Sequence, residues 1–80
     1  MQKEELLAKI TGIMQKITSN PNLHVTEETR FEDIEDWDSL NTVDMEMDLE
    51  STLSISFEIG EFRELDTISA LLDCLAQKLK

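Results

Sequence analysis

The sequence has little of what several classes of protein require. It contains one cysteine and one histidine, which excludes an internal disulfide and leaves no support for a zinc site or a cysteine–histidine nucleophile. A single cysteine suits a reducing compartment, so a cytoplasmic location is expected. No apolar run approaches the length of a membrane span, and the opening residues lead into no apolar signal core.

Basic residues are also scarce. Seven lysines and arginines oppose 18 aspartates and glutamates, for a formal net charge of −11. Phosphate backbones are bound by lysine and arginine, so this balance argues against DNA and RNA as partners, and it disfavours anionic membrane surfaces. Eighty residues form one domain, expected over residues 1–80, with a core too small to enclose a deep catalytic pocket. The expected protein is an acidic monomer that binds other proteins.

The acids are concentrated in the middle of the chain. Between Glu32 and Glu50 there are nine acids and no base. Such a run is either a solvated face that aids solubility or a surface that attracts basic partners, and composition leaves both open. Asp33, Asp36 and Asp38 suggest calcium, but the loop lacks the glycine and ligand spacing of an EF-hand. No metal site is predicted.

Apolar periodicity predicts three main helices. The first covers residues 3–18, and Pro21 prevents its continuation. The second is expected from Asp38 or Ser39 to about residue 53. The third is expected over about residues 67–79. Asp38 and Ser39 are both suitable N-caps for the second helix, and Asp66 and Thr67 are both suitable for the third.

The connections between these helices differ in character. Residues 20–37 form a long loop, in which Trp37 is expected to anchor the chain on the bundle. Residues 54–59 alternate as a strand would, but no partner strand is evident, so an extended loop is favoured. One short helical turn is expected at 61–65. The predicted fold is therefore all-α, a small four-helix bundle with three main helices, one short helix and a long loop between helices 1 and 2.

The second helix has two apolar faces on opposite sides. At 100° per residue, one face carries Met45, Leu49 and Leu53, and the other carries Leu40, Val43 and Met47. Both faces would be buried if the helix lay between its neighbours. The favoured interpretation leaves the second set exposed as a docking strip, with Asp44 and Glu50 beside it to steer basic partners.

The second helix opens with Trp37-Asp38-Ser39-Leu40. Asp-Ser-Leu is a weak signal by itself, since Ser39 could be a helix cap. Here it follows a long acidic loop and begins an acidic helix with a spare apolar face. The stretch FEDIEDWDSLNTVD, residues 31–44, resembles the acyl carrier protein family, including peptidyl and aminoacyl carrier domains. The resemblance covers nearly the whole chain.

The resemblance implies that Ser39 carries 4′-phosphopantetheine, attached from coenzyme A by a phosphopantetheinyl transferase that uses magnesium. The arm would hold an acyl or aminoacyl group as a thioester, and the protein would have no catalytic activity of its own. Its partners would be that transferase, an acyl- or aminoacyl-activating ligase, and acyl-processing enzymes with basic docking patches. Asp38 would cap the helix and help to position the transferase. The other partner-binding positions would be Leu40, Val43, Asp44, Met47 and Glu50.

Some positions depart from the pattern of family members that serve fatty acid synthesis. They are Glu46, Asp48, Glu58, Gly60 and Phe62. Glu46 borders the core face of the second helix, so a cleft for a long acyl chain is expected to be smaller or more polar. The run Glu61-Phe62-Arg63 is similar to carriers of D-alanine used in cell-envelope modification. A specialised lipid, polyketide or cell-envelope pathway is therefore expected.

A second hypothesis is an unmodified acidic helical module that docks a basic protein partner through the same helix. Ser39 discriminates between the two hypotheses. A carrier loses its function without this hydroxyl, whereas a docking module tolerates alanine at that position.

Overall fold

The computed structural model describes residues 2–79, which form three α-helices and two short 3₁₀-helices. The α-helices are α1 (Lys3–Thr18), α2 (Ser39–Leu53) and α3 (Ile68–Lys78), and the 3₁₀-helices are Phe31–Asp33 and Phe62–Glu64. This confirms the all-α bundle. Residues 54–59 form a loop that begins and ends in turns, and no strand forms within 2–79. None of the helices in this range is long and apolar enough to cross a membrane.

Two of the expected elements begin one residue later and end one residue earlier than predicted. The short helical turn expected at 61–65 is a 3₁₀ turn at Phe62–Glu64. The third helix is shorter than residues 67–79, because Thr67 is its N-cap and Leu79 its C-cap. The Thr67 hydroxyl accepts a hydrogen bond from the Ala70 N–H at 3.1 Å, so Thr67 and not Asp66 caps this helix.

The core lies where the apolar faces of the three helices meet. Each α-helix contributes residues with no exposed surface, as the helical spacing of its apolar side chains requires. The fully buried set comprises Ile10 and Met14 of α1, Met45 and Leu49 of α2, and Ile68, Leu71 and Leu75 of α3. Because α2 packs through Met45 and Leu49, its opposite side points away from the bundle.

Backbone hydrogen bonds tie the long loop after α1 to the start of α3. The Phe31 N–H donates to the Asp66 carbonyl at 3.1 Å, and the Ile68 N–H donates to the Thr29 carbonyl at 2.9 Å. These bonds satisfy groups that the loop would otherwise leave unpaired. They also bring the segment from Phe62 to Asp66 beside the loop that leads into α2.

Candidate functional site

Ser39 is the first residue of α2 and is exposed to solvent. Asp38 is the N-cap: its Oδ1 accepts from the Asn41 N–H at 2.9 Å, and its own N–H donates to Asn41 Oδ1 at 3.3 Å. This reciprocal pair caps the helix without the serine hydroxyl. The predicted cap role of Asp38 is confirmed, and Ser39 does not serve as the cap. Its hydroxyl is therefore available for chemistry.

Trp37 fixes the chain just before Ser39. Its indole N–H donates to Thr42 Oγ1 at 3.0 Å, and the Thr42 hydroxyl donates to the Asp38 carbonyl at 3.2 Å. The Trp37 ring also packs against Phe31, with 5.7 Å between ring centroids. The prediction of a loop anchor at Trp37 is confirmed. These contacts hold the entry to α2, and with it Ser39, in one orientation.

A pocket of about 510 Å³ opens beside Ser39. It lies between the start of α2 and the segment from Phe62 to Asp66, and Ser39, Trp37, Thr42, Phe62 and Arg63 are among its lining residues. Phe62 is the one lining residue that is buried, and it also belongs to the hydrophobic core, so the pocket borders the core at this ring. The sequence did not predict this pocket. Its one signal was the unusual Glu61-Phe62-Arg63 run, which periodicity does not place near Ser39.

The second apolar face of α2 is exposed. The exposed fractions of the docking-strip residues are 73% for Leu40, 39% for Val43 and 62% for Met47. This confirms that the second face is exposed, and the alternative in which both faces are buried is wrong; the docking role of the strip stays a prediction. Asp44 beside it is also exposed. The strip therefore presents apolar side chains next to a carboxylate, which suits a partner with a basic rim around an apolar depression.

Glu50 differs from Asp44 because its carboxylate is already engaged. Glu50 is half-buried, and its Oε2 accepts a hydrogen bond from the Phe57 N–H at 2.8 Å. It thereby anchors the loop after α2. The sequence grouped Glu50 with the steering acids, because helical spacing shows the side of a helix but not the hydrogen bonds of a loop beyond its end.

An ion pair between Glu61 and Lys78, called the latch below, joins the short 3₁₀ segment that borders the pocket to α3. Glu61 Oε1 accepts from Lys78 Nζ at 2.9 Å and from the Glu58 N–H at 2.8 Å. Lys78 Nζ also lies 5.2 Å from the centroid of the Phe57 ring. The Glu58 N–H and the Lys78 ammonium lower the pKa of Glu61, and the Glu61 carboxylate raises the pKa of Lys78.

We expect the latch to weaken in acid. Folding lowers the pKa of the Glu61 carboxyl below its value in the unfolded chain, ordinarily 4.5. The carboxylate therefore stabilises the folded state at pH values above that unfolded pKa. This stabilisation is lost as the pH falls through the pKa of the folded state. The Tm of Glu61→Gln should therefore lie below that of the unmutated protein at neutral pH, and the two Tm values should converge in acid. Lys78→Gln is the matched control and should show the same convergence. A Tm difference that persists unchanged in acid would contradict this assignment.

Cys74 lies close to the same latch, with its Sγ 3.6 Å from Glu61 Oε2. Burial and the neighbouring Glu61 carboxylate raise the pKa of its thiol, so the thiol stays protonated at neutral pH. A half-buried, protonated thiol suits packing rather than nucleophilic chemistry. Within residues 2–79, the aspartates that suggested calcium belong to no group of three potential metal ligands.

Comparisons with known proteins agree with this architecture. No protein-family model matches the chain. An acyl carrier protein of Petrotoga mobilis is 33% identical over 79 residues, which cover 99% of this chain and 93% of that protein. An acyl carrier protein of Thermotoga maritima is 27% identical over 77 residues, 96% of this chain and 95% of that protein.

A solved structure agrees as well. The solution NMR structure of holo acyl carrier protein from Geobacter metallireducens matches with a TM-score of 0.81 and 32% sequence identity. The match covers 91% of this chain and 84% of that one. The chain forms a small helical bundle and matches acyl carrier proteins over most of their length, which places it in a class of carrier proteins. The chain belongs to the acyl carrier protein family, and it is a carrier protein for acyl groups.

Proposed function

We propose that this protein carries an acyl or aminoacyl group as a thioester on 4′-phosphopantetheine attached to Ser39, and that residues 1–80 form a single carrier domain. The observation that carries the proposal is the exposed Ser39 at the start of α2, with Asp38 rather than Ser39 as the cap. The solved relative is itself named as a holo form. The arm would supply a thiol, and the protein would present the tethered group without catalysing a reaction.

The residues around Ser39 suit a phosphodiester. Within residues 2–79, the N–H groups of Ser39 and Leu40 have no protein acceptor, and a helix N-terminus favours an anion. Arg63 lines the same pocket and makes no ion pair with another described side chain. Arg63 would therefore hold the arm from the other side of the pocket.

Attachment would be a phosphoryl transfer from coenzyme A to Ser39. The Oγ–phosphorus bond forms as the pyrophosphate bond of coenzyme A breaks, and adenosine bisphosphate leaves. The hydroxyl proton passes to a base on the phosphopantetheinyl transferase, since no side chain of this protein hydrogen-bonds to the Ser39 hydroxyl within the described range. Magnesium would belong to the transferase reaction.

The docking strip supports the choice of partners. Leu40, Val43 and Met47 would contact the transferase, the activating ligase and acyl-processing enzymes, while Asp38 and Asp44 face their basic patches. Glu50 would act mainly through the loop that it anchors. The carrier would serve a specialised lipid, polyketide or cell-envelope pathway in the cytoplasm. The alternative is an unmodified module that uses the same strip.

The test is modification in vitro. The purified protein is incubated with coenzyme A, magnesium and a broad-specificity phosphopantetheinyl transferase, and its intact mass is recorded beside that of a known carrier. We expect a gain of one phosphopantetheine, and proteolysis with tandem mass spectrometry should place it on the peptide that contains Ser39. No gain, with the known carrier modified in the same tube, would favour the docking module.

A further inference from the structure

We propose that this carrier keeps its cargo outside the helical core, because the Phe62 ring lies where the pocket beside Ser39 borders that core. The proposal rests on the function proposed above, since it concerns the group tethered to Ser39. It assigns the carrier to short acyl or aminoacyl groups. It also makes Phe62 the residue that limits the length of an acyl chain.

The position of Phe62 in the pocket supports this proposal. Phe62 is 2% exposed, whereas every other residue that lines the pocket is half-buried or exposed. It also belongs to the same buried cluster as Met45 and Leu71. A chain that entered from Ser39 would therefore meet the Phe62 ring before it reached the core.

The ring is held by its neighbours on both sides. Phe57 packs edge-on against it at 5.1 Å between centroids, and Phe31 lies at 6.1 Å. The adjacent Glu61 is fixed to Lys78 by the 2.9 Å ion pair. Displacing Phe62 would disturb these contacts, whereas leaving a short cargo at the pocket mouth disturbs none of them. The closed arrangement is therefore the one that the tethered group would meet.

The polarity of the pocket indicates the class of cargo. Its volume of about 510 Å³ is that of an ordinary small-molecule site and excludes no chain by itself, so the lining decides. Glu32, Arg63 and Asp66 line it with charges. A long hydrocarbon would take water from these groups without replacing their hydrogen bonds. A short acyl or aminoacyl group can leave them hydrated and keep its own polar atoms in solvent.

The test compares forms loaded with cargo of increasing length. The transferase is supplied with butyryl-, octanoyl- and dodecanoyl-coenzyme A, loading is verified by intact mass, and Tm is measured for each form. Methylenes that leave water stabilise the folded state, so a sequestered chain would raise Tm by about 5 °C or more from butyryl to dodecanoyl. For this protein we expect the three Tm values to agree within about 2 °C. Hydroxylamine should also cleave the three thioesters at rates within about twofold of one another.

Variants at the ring test its role. Phe62→Ala opens an apolar space continuous with the pocket, so its Tm should rise with chain length. Phe62→Leu, a milder change, should give a smaller rise and covers the case in which the alanine variant does not fold. Phe57→Leu is the control, because Phe57 touches Phe62 but does not line the pocket.

Two results would overturn the proposal: a length-dependent Tm in the unmutated protein, or folded Phe62 variants without any length dependence. Failure of the transferase to add mass would instead contradict the function at Ser39. The loading step thus separates the two proposals.

Discussion

Ser39→Ala is expected to abolish attachment of phosphopantetheine while leaving the bundle folded. The loss should be complete, since alanine has no oxygen to accept the phosphoryl group. Stability should change by no more than about 0.5 kcal/mol, because Ser39 is exposed and Asp38 caps the helix without it. Intact mass after incubation with coenzyme A and the transferase measures the first effect, and urea unfolding measures the second.

Ser51→Ala is the matched control for this experiment. Ser51 is also an exposed serine of α2, but it lies in the last turn of the helix, three turns from the N-terminal end. Its replacement should leave both the mass gain and the stability unchanged. If Ser39→Ala still gained the group, or if Ser51→Ala lost it, another hydroxyl would carry the arm. If Ser39→Ala unfolded, the inference that Asp38 alone caps α2 would be wrong.

The helices could be predicted because their signals are local. Apolar residues in α1 recur at helical spacing up to the turn before Pro21, and the structure places the helix at Lys3–Thr18. The two faces of α2 could likewise be assigned by angle alone. The choice between Asp38 and Ser39 as the cap could not, because both residue types accept hydrogen bonds from a first turn. The side chain of Asn41 decides it by bonding back to Asp38.

The pocket beside Ser39 could not be predicted because long-range contacts build it. The backbone bonds of Phe31 and Ile68 bring residues 62–66 next to the start of α2 across a long stretch of chain. Nothing in the local pattern around Phe62 shows that its ring lines the same pocket as the distant Ser39. The roles of the individual acids between Glu32 and Glu50 could not be predicted either. In the structure Asp44 is exposed, whereas the Glu50 carboxylate accepts a hydrogen bond from the Phe57 N–H.

Removing the docking strip is expected to slow modification without unfolding the protein. The double variant Leu40→Gln/Met47→Gln replaces two exposed apolar side chains with a polar residue of good helix propensity. Each lost apolar anchor at a protein interface costs about 1–2 kcal/mol of binding free energy. The two losses together, about 2–4 kcal/mol, should therefore lower the kcat/KM of the transferase by about 30- to 700-fold, while the Tm stays nearly constant. Initial rates at limiting carrier concentration measure the effect.

Ile59→Gln is the control for this experiment, because it removes an apolar side chain that is fully exposed in the loop after α2. General loss of surface hydrophobicity would slow the control as much as the double variant, and the strip would then have no special role. If only the double variant is slow, the apolar face of α2 is the contact surface. Raising the salt concentration should slow the unmutated protein as well, because the acids beside the strip attract a basic partner through charges that salt screens.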